Sequence, residues 1–304
     1  MNLRSPRLPA QSLPRRGPAV ALILLLVLPG AHAEPERHYD PQSGASSRTH
    51  IDIEVESQAS EPHSQFALGM SLTSAPEYLG SSRQGLSLKP ILAYRYGRFK
   101  LTSSGGSSIM NFGVRSDDSG ASAELLKTSR WKIKTSARIG GGRSASDSVD
   151  LAGLPSIQRT VFARLSVNYK LTEAISLDST LTWDLLGHDN GASLSAGIGY
   201  AFRSSPATEW SFGAGVTYGN ATHMRGLFGV PESAATADRP AYEPGAGLRD
   251  IGLGAGFITS LSKRWVAFGN VGLNKVIGPA ADSPLTHAST GRRASVGIGW
   301  RCCR

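Results

Sequence analysis

Three histidines have the chemistry of a catalytic base. His188, His223 and His287 could each activate one of the many serine hydroxyls in the chain. The sequence contains no G-x-S-x-G turn to present such a serine, and none of these histidines falls in mid-strand opposite a serine. We therefore interpret them as loop residues. The sequence predicts no enzyme, no catalytic residue, no metal ligand and no cofactor.

A second group of side chains has the chemistry to attract ions. Asp178, Asp184 and seven basic residues lie on the polar sides of segments in which polar and apolar residues alternate. If those sides line an open, wet lumen, the basic excess should favour anions. The basic candidates are Lys89, Arg95, Lys132, Lys134, Arg138, Arg164 and Lys170.

The alternation itself indicates the elements that position these residues. In 161–171, Val161, Leu165 and Tyr169 lie on one face, while Phe162 and Arg164 lie on the other. Soluble strands average roughly 5–6 residues, whereas a tilted membrane-crossing strand needs roughly 9–11. Only helices or closed barrels satisfy every backbone group in lipid. The sequence therefore predicts an all-β fold, a transmembrane antiparallel up-and-down β-barrel with polar residues inside and apolar residues outside.

About twelve strands are expected, and an even number suits a single-chain bacterial barrel. With the N-terminus in the periplasm, the tight turns at 97–98, 172–173 and 262–263 fall inside the cell envelope. The segments 75–85, 143–157, 220–246 and 278–291 form long outer loops. The predicted strands are 66–74, 86–97, 98–104, 108–116, 130–142, 158–171, 174–186, 192–203, 208–219, 247–261, 264–277 and 292–301.

One stretch breaks the rule of short inner turns. Between residues 98 and 130 the sequence predicts a short outer turn near Gly105 and a long inner connection over 117–129. Aromatic residues near the strand ends could form interfacial girdles. These are Tyr94, Tyr96, Trp131, Tyr169, Tyr200, Phe202, Trp210, Tyr218, Trp265 and Trp300.

The N-terminal region has the features of an export signal. Arginines precede a short apolar run over 19–28, and Ala31 and Ala33 follow it. We predict a signal peptide over 1–33, a polar periplasmic extension over 34–65 and the barrel over 66–304. This places the protein in a bacterial outer membrane, among its lipid and lipopolysaccharide. The net charge of +9 is too diffuse to predict nucleic-acid binding.

Five stretches resemble the MipA/OmpV family of MltA-interacting outer-membrane proteins. They are 75–81 (APEYLGS), 90–99 (PILAYRYGRF), 227–230 (LFGV), 242–250 (YEPGAGLRD) and 276–285 (VIGPAADSPL). The loop-motif candidates among them are Pro76, Tyr78, Gly80, Asp282, Ser283 and Pro284. Pro and Gly at these places also form turns, so a role in loop shape is favoured over ligand contact.

The resemblance implies a scaffold that brings a lytic transglycosylase and a peptidoglycan synthase together at the inner face of the outer membrane. The periplasmic turns and residues 34–65 would then carry the contacts. A weakly anion-selective pore for small solutes is the alternative, and adhesion through loops 220–246 and 278–291 is a third possibility. The family usually ends on an aromatic residue that the barrel-assembly machinery recognises. Here Trp300 is the candidate, although four residues follow it.

Overall fold

Twelve strands make up most of the residues that the computed structural model describes, which are 65–103 and 120–302. The predicted signal peptide and nearly all of the predicted extension lie outside these residues. The strands are β1 Gln65–Pro76, β2 Gln84–Tyr96, β3 Phe99–Thr102, β4 Gly120–Lys127, β5 Trp131–Gly140, β6 Thr160–Lys170, β7 Ile175–Asp184, β8 Ala192–Ser205, β9 Thr208–Gly219, β10 Gly247–Ser260, β11 Trp265–Val276 and β12 Thr290–Cys302.

The strands form a closed barrel in which each pairs with its neighbour in sequence, and β12 pairs with β1. Every pairing is antiparallel. At the closing seam, Leu68 lies opposite Trp300 and Leu72 lies opposite Val296. This confirms the predicted fold class and strand number. Among the described residues, no helix is long and apolar enough to cross a membrane.

Connection lengths orient the barrel. The connections 97–98, 128–130, 171–174, 206–207 and 261–264 are all short and lie at one end. Those at the other end are longer, and reach their greatest length at 220–246. Bacterial barrels turn their short connections towards the periplasm, so we call the first end periplasmic and the second outer.

The prediction for residues 117–129 was wrong. That segment was expected to be a long inner connection, but Gly120–Lys127 forms β4, and only 128–130 remain as a short periplasmic turn. The register shifts between Glu124 and Leu126. This irregularity interrupts the alternation that would otherwise mark the strand. The predicted strand 108–116 lies outside the described residues.

The outward face of the barrel is apolar. Leu86 is 72% exposed, a value that only lipid contact makes favourable for a large apolar side chain. Outward aromatic residues cluster at the periplasmic ends of their strands, and all five ring pairs of the described residues lie there. The pairs are Phe66–Trp300, Trp131–Tyr169, Tyr200–Phe202, Phe202–Phe212 and Trp210–Phe257. We call this set the inner girdle.

One side of the lumen is filled. An apolar cluster on β1, β2, β10 and β11 packs around Phe268, whose ring covers Gly297 of β12 so closely that a side chain there would collide with it. The other cluster members are Ala67, Ile91, Ala93, Ile258 and Val266. The rest of the lumen contains open space.

Candidate functional site

A cavity of about 1570 Å³ occupies the open part of the lumen. Its lining begins at the periplasmic turns, with Thr128–Trp131 and Thr172–Ile175, and ends at Pro76–Leu79. Its lining includes no residue of the outer connections 141–159, 220–246 and 277–289. The cavity therefore extends along the barrel from the periplasmic end to the first outer loop, and stops beneath these three longer connections.

Five of the seven predicted basic residues line this cavity. Four of them, Lys132, Lys134, Arg164 and Lys170, lie on the neighbouring strands β5 and β6, and the fifth, Arg95, lies on β2. The turn residue Arg130 joins the four. We call Arg130, Lys132, Lys134, Arg164 and Lys170 the basic wall. The sequence did not single out Arg130, because turn residues carry no alternation.

The other two predicted basic residues do not line the cavity. Arg138 lies over the ring of Phe162, with its guanidinium carbon 5.7 Å from the ring centroid, a cation–π arrangement. Lys89 is exposed near the outer half of β2. Structural contact, rather than cavity lining, therefore explains the position of Arg138.

Acidic groups partly balance the basic residues. Glu124 of β4 lies between two of them, with Oε2 3.8 Å from Arg95 Nη2 and Oε1 3.5 Å from Lys132 Nζ. Asp178 lines the cavity, as predicted from its polar face. Asp184 instead ends β7, where its carboxylate accepts hydrogen bonds from the backbone N–H groups of Leu186, Gly187 and Asn190.

Further round the barrel from the basic wall, glycines contribute to the cavity lining. Strands β8 to β11 contribute Gly197, Gly199, Gly213, Gly215, Gly252 and Gly272 to the lining. Because glycine has no side chain, these strands leave space where other residues would fill it. We call these six glycines the glycine face. The same strands also bring Arg203, Glu209, Arg249 and Asp250 to the lining, so charge is not confined to the basic wall. The sequence shows glycines on the polar side of alternating strands, and this pattern could have predicted open space in the lumen.

The outer loops that the structure describes pack together into a structure that we call the cap. Leu151, Leu154, Val230 and Leu285 form one buried apolar cluster, against which Tyr78 packs. A second cluster contains Met224, Phe228, Val276 and Ala280. Their side chains come from connections far apart in sequence. Apolar burial therefore holds the cap together in the same way as the core of a soluble domain.

The loop-motif residues lie in this cap and contact one another. The Tyr78 hydroxyl donates a hydrogen bond to the Leu285 backbone oxygen at 3.0 Å. The buried Ser283 hydroxyl donates to the Phe228 oxygen at 2.7 Å and accepts from the Leu285 N–H at 3.1 Å. Tyr242 donates to the Pro279 oxygen at 2.7 Å. Four of the five motif stretches therefore meet in one place.

The remaining motif residues have different surroundings. Gly80 has a φ of +100°, and a side chain there would lie 3.0 Å from Thr286 Oγ1. Pro76 ends β1 and lines the outer end of the cavity. Pro284 is half-buried in the cap, and Asp282 is exposed. Burial, followed by the charges of Asp150 and Glu77, raises the pKa of Tyr78 to about 12, so its hydroxyl remains a donor.

A short helix, α1 (Ala221–Phe228), belongs to the cap. The Asn220 side chain accepts a hydrogen bond from the His223 N–H at 2.8 Å and caps the helix. His223 Nδ1 donates to the Asn190 oxygen, and Nε2 accepts from Arg249 Nη1, both at 2.9 Å. Burial, and then the Arg249 charge, lowers the pKa of His223. The neutral ring therefore connects α1 to β10.

Two histidines of the outer loops make hydrogen bonds that connect parts of the cap. His188 Nδ1 donates to the Arg159 oxygen at 2.7 Å, and His223 makes the two contacts given above. His287 is exposed. Within residues 65–103 and 120–302, no cluster of His, Cys, Asp and Glu has the arrangement of a metal site.

Trp300 lies at the periplasmic end of β12, opposite Trp265 of β11 in the register. Its ring contacts Phe66 of β1, with 5.5 Å between ring centroids. It therefore belongs to the inner girdle at the seam where the barrel closes. Its role as an assembly signal remains a prediction.

Two solved structures illustrate what the chain is similar to. A KdgM porin has 11% sequence identity, with a TM-score of 0.39 and coverage of 77% of this chain and 98% of that one. An outer membrane channel from Pseudomonas putida F1 has 12% identity, a TM-score of 0.41 and coverage of 80% and 96%. No curated protein matches the sequence.

The sequence model of a family described as MltA-interacting protein MipA matches residues 68–302. The match covers β1 from residue 68, all of β2 to β12, and both loops that Tyr78 and Leu285 bring together. This agrees with the resemblance carried by the loop motifs. The chain is an outer-membrane β-barrel protein and belongs to the MipA family.

Proposed function

We propose that this protein is a scaffold that acts at the periplasmic face of the outer membrane, where it brings a lytic transglycosylase together with a peptidoglycan synthase. The family is described by its interaction with MltA, and a binding role requires no catalytic residue in the barrel. One observation carries the proposal for this chain: the cavity reaches the periplasmic turns, whereas the outer loops are packed against one another.

The proposal includes the route to the membrane. Residues 1–33 would direct export and be removed, and residues 34–65, with the periplasmic turns, would contact the partner enzymes. Sequencing of the N-terminus of the protein purified from outer membranes tests the first part. A mature chain that still begins at Met1 would contradict it.

Site-specific photocrosslinking tests the scaffold. A crosslinking amino acid replaces Lys263 in a periplasmic turn or Asp238 in an outer loop, since both residues are exposed. We expect a lytic transglycosylase among the products from position 263 and none from position 238. Absence of any cell-wall enzyme at 263, with the protein correctly folded, would count against a scaffold.

A second candidate function is a weakly anion-selective pore for small solutes. The polar cavity with its basic wall favours this function, but the cap opposes it because the cavity ends beneath the outer loops. Single-channel recording of the refolded protein in a lipid bilayer separates the two functions. Steady anion-selective conductance would make it a channel, and a silent bilayer with a folded barrel would favour the scaffold.

A further inference from the structure

The basic wall has a regular spacing along the barrel. Lys132 and Lys134 are two residues apart on the lumen-facing side of β5. In the register with β6, Lys132 lies opposite Asn168 and Lys134 opposite Ser166, while Arg164 lies opposite Ser136. Lys132, Lys134 and Arg164 therefore occupy successive levels, separated by ~6.8 Å because each strand residue rises about 3.4 Å.

The wall begins at the periplasmic entrance. Arg130 lies in a turn and Lys170 ends β6, and both are exposed as well as lining the cavity. Acidic residues are fewer on this side. Glu173 lies at the entrance, Asp178 lies on β7, and Glu124 of β4 already forms an ion pair with one residue of the wall. An anion that enters from the periplasm thus meets positive charge first at the entrance and then at repeated levels further in.

A ligand that matches this spacing is an extended peptide. Alternate side chains of an extended chain point to one side and repeat every ~6.8 Å, which is the spacing of the levels of the basic wall. The glycine face on β8 to β11 leaves room for the backbone of such a ligand. A small anion would use a single level, and a bulky globular surface could not enter the lumen.

We propose that the cavity binds an acidic segment of a partner protein, in extended conformation, with carboxylates at alternate positions. The segment enters from the periplasm and lies along the basic wall, with its backbone towards the glycine face. This inference rests on the proposed scaffold for the origin of the ligand, and it gives that scaffold a defined binding site.

Peptide binding to the full-length protein in detergent tests whether the cavity binds an acidic extended segment. The probe is a fluorescent octapeptide in which Glu and Ser alternate, and its comparison peptide has the same composition with the four Glu contiguous. We expect the alternating peptide to bind more tightly and to lose affinity as salt rises. Equal binding of both peptides, or no binding of either, would overturn the proposal.

A pair of charge-matched variants locates the site. The first combines Arg130→Gln, Lys134→Gln and Lys170→Gln, all in the basic wall. The control combines Arg98→Gln, Lys263→Gln and Arg264→Gln, which remove the same charge from periplasmic turns that do not line the cavity. Heat-modifiable migration on a gel confirms that both variants fold.

We expect the first variant to weaken binding of the alternating peptide by roughly tenfold, since each of the three cations contributes a factor of at least roughly two. The control should change it less than about twofold. An equal loss of peptide affinity in both variants would mean that the peptide is attracted by diffuse positive charge, and would overturn the assignment of its site to the basic wall. Displacement of the probe by purified peptidoglycan stem peptides would also overturn it, because the wall polymer would then be the ligand.

The crosslinking experiment at position 263 distinguishes this inference from the scaffold itself. If the enzyme still crosslinks while the alternating peptide fails to bind, the scaffold stands and the cavity assignment is wrong. If the peptide binds and no enzyme crosslinks, the cavity assignment stands and the proposed partner is wrong.

Discussion

The hydroxyl of Tyr78 donates a hydrogen bond at 3.0 Å to the backbone oxygen of Leu285, 207 positions further along the chain. The bond joins the first outer loop to the last, next to the seam where β1 pairs with β12. Both loops belong to stretches that carry the family resemblance. Those stretches therefore shape a common structure, the cap.

Removal of the Tyr78 hydroxyl should loosen the cap without unfolding the barrel. Tyr78→Phe leaves the ring in its apolar cluster but leaves the Leu285 oxygen without this donor, at a cost of about 1 kcal/mol. We expect amide hydrogen exchange over 283–288 to accelerate about fivefold. Tyr218→Phe, on an exposed ring at the outer end of β9, is the control and should leave that exchange unchanged.

Substitution of Gly80 should have a larger effect. Its φ of +100° is costly for any residue with a side chain, by about 1–2 kcal/mol, and an added Cβ would lie only 3.2 Å from the Thr286 Cα. We expect Gly80→Ala to increase protease cleavage of the outer loops on intact cells severalfold. Gly85→Ala, where the nearest atoms are 3.8 Å away, should show no increase. Equal cleavage of the two variants would contradict this explanation.

The cap should respond to acid through His223. Burial and the Arg249 charge lower the pKa of His223 in the folded state. Protonation of the ring therefore favours a state in which His223 has left its contacts in the cap. The contact is therefore fully present above the ordinary histidine pKa of about 6.5 and weakens as pH falls below it. Asp250, which accepts a hydrogen bond from Arg249, moderates this effect.

Protease accessibility of the loop 220–246, measured between pH 5 and 8, tests the response. We expect accessibility to rise as pH falls in the natural protein. His223→Gln keeps a side chain that can both donate and accept but does not titrate, so its accessibility should be independent of pH. A rise of the same size in the variant would assign the effect to another group.

Trp300 and Trp265 provide a matched test of the assembly signal. They lie opposite each other in the register at the periplasmic end of the barrel. If the assembly machinery recognises Trp300, Trp300→Ala should reduce the fraction of folded barrel in outer membranes severalfold, while Trp265→Ala changes it little. Heat-modifiable migration of membrane fractions measures this. Equal loss would indicate that both rings act only through lipid contact.

Alternation predicts strands well where it is uninterrupted. Strand β9 has the bounds that the sequence predicts, 208–219, because its apolar and polar faces alternate throughout. Strand β4 was missed because its register shifts between Glu124 and Leu126. The pattern then changes face within the strand, and a period of two no longer describes it.

The cavity and the cap differ in how far the sequence predicts them. Lys132 and Lys134 were placed in the lumen because their positions alternate with Trp131 and Ile133. The contact between Ser283 and the Phe228 oxygen has no periodic pattern, because it depends on how separate loops meet. Family motifs identified these residues as a set, but only the three-dimensional structure shows that they contact one another.

The inner girdle also has a consequence for the membrane around the barrel. Aromatic rings anchor a protein at the interface where they lie, and in the described residues all the ring pairs lie at the periplasmic end. The densest aromatic anchoring of the barrel is thus in the inner leaflet. When the bilayer thickens, the mismatch should be taken up at the outer end, so the cap sinks relative to the cell surface while the entrance of the cavity keeps its depth.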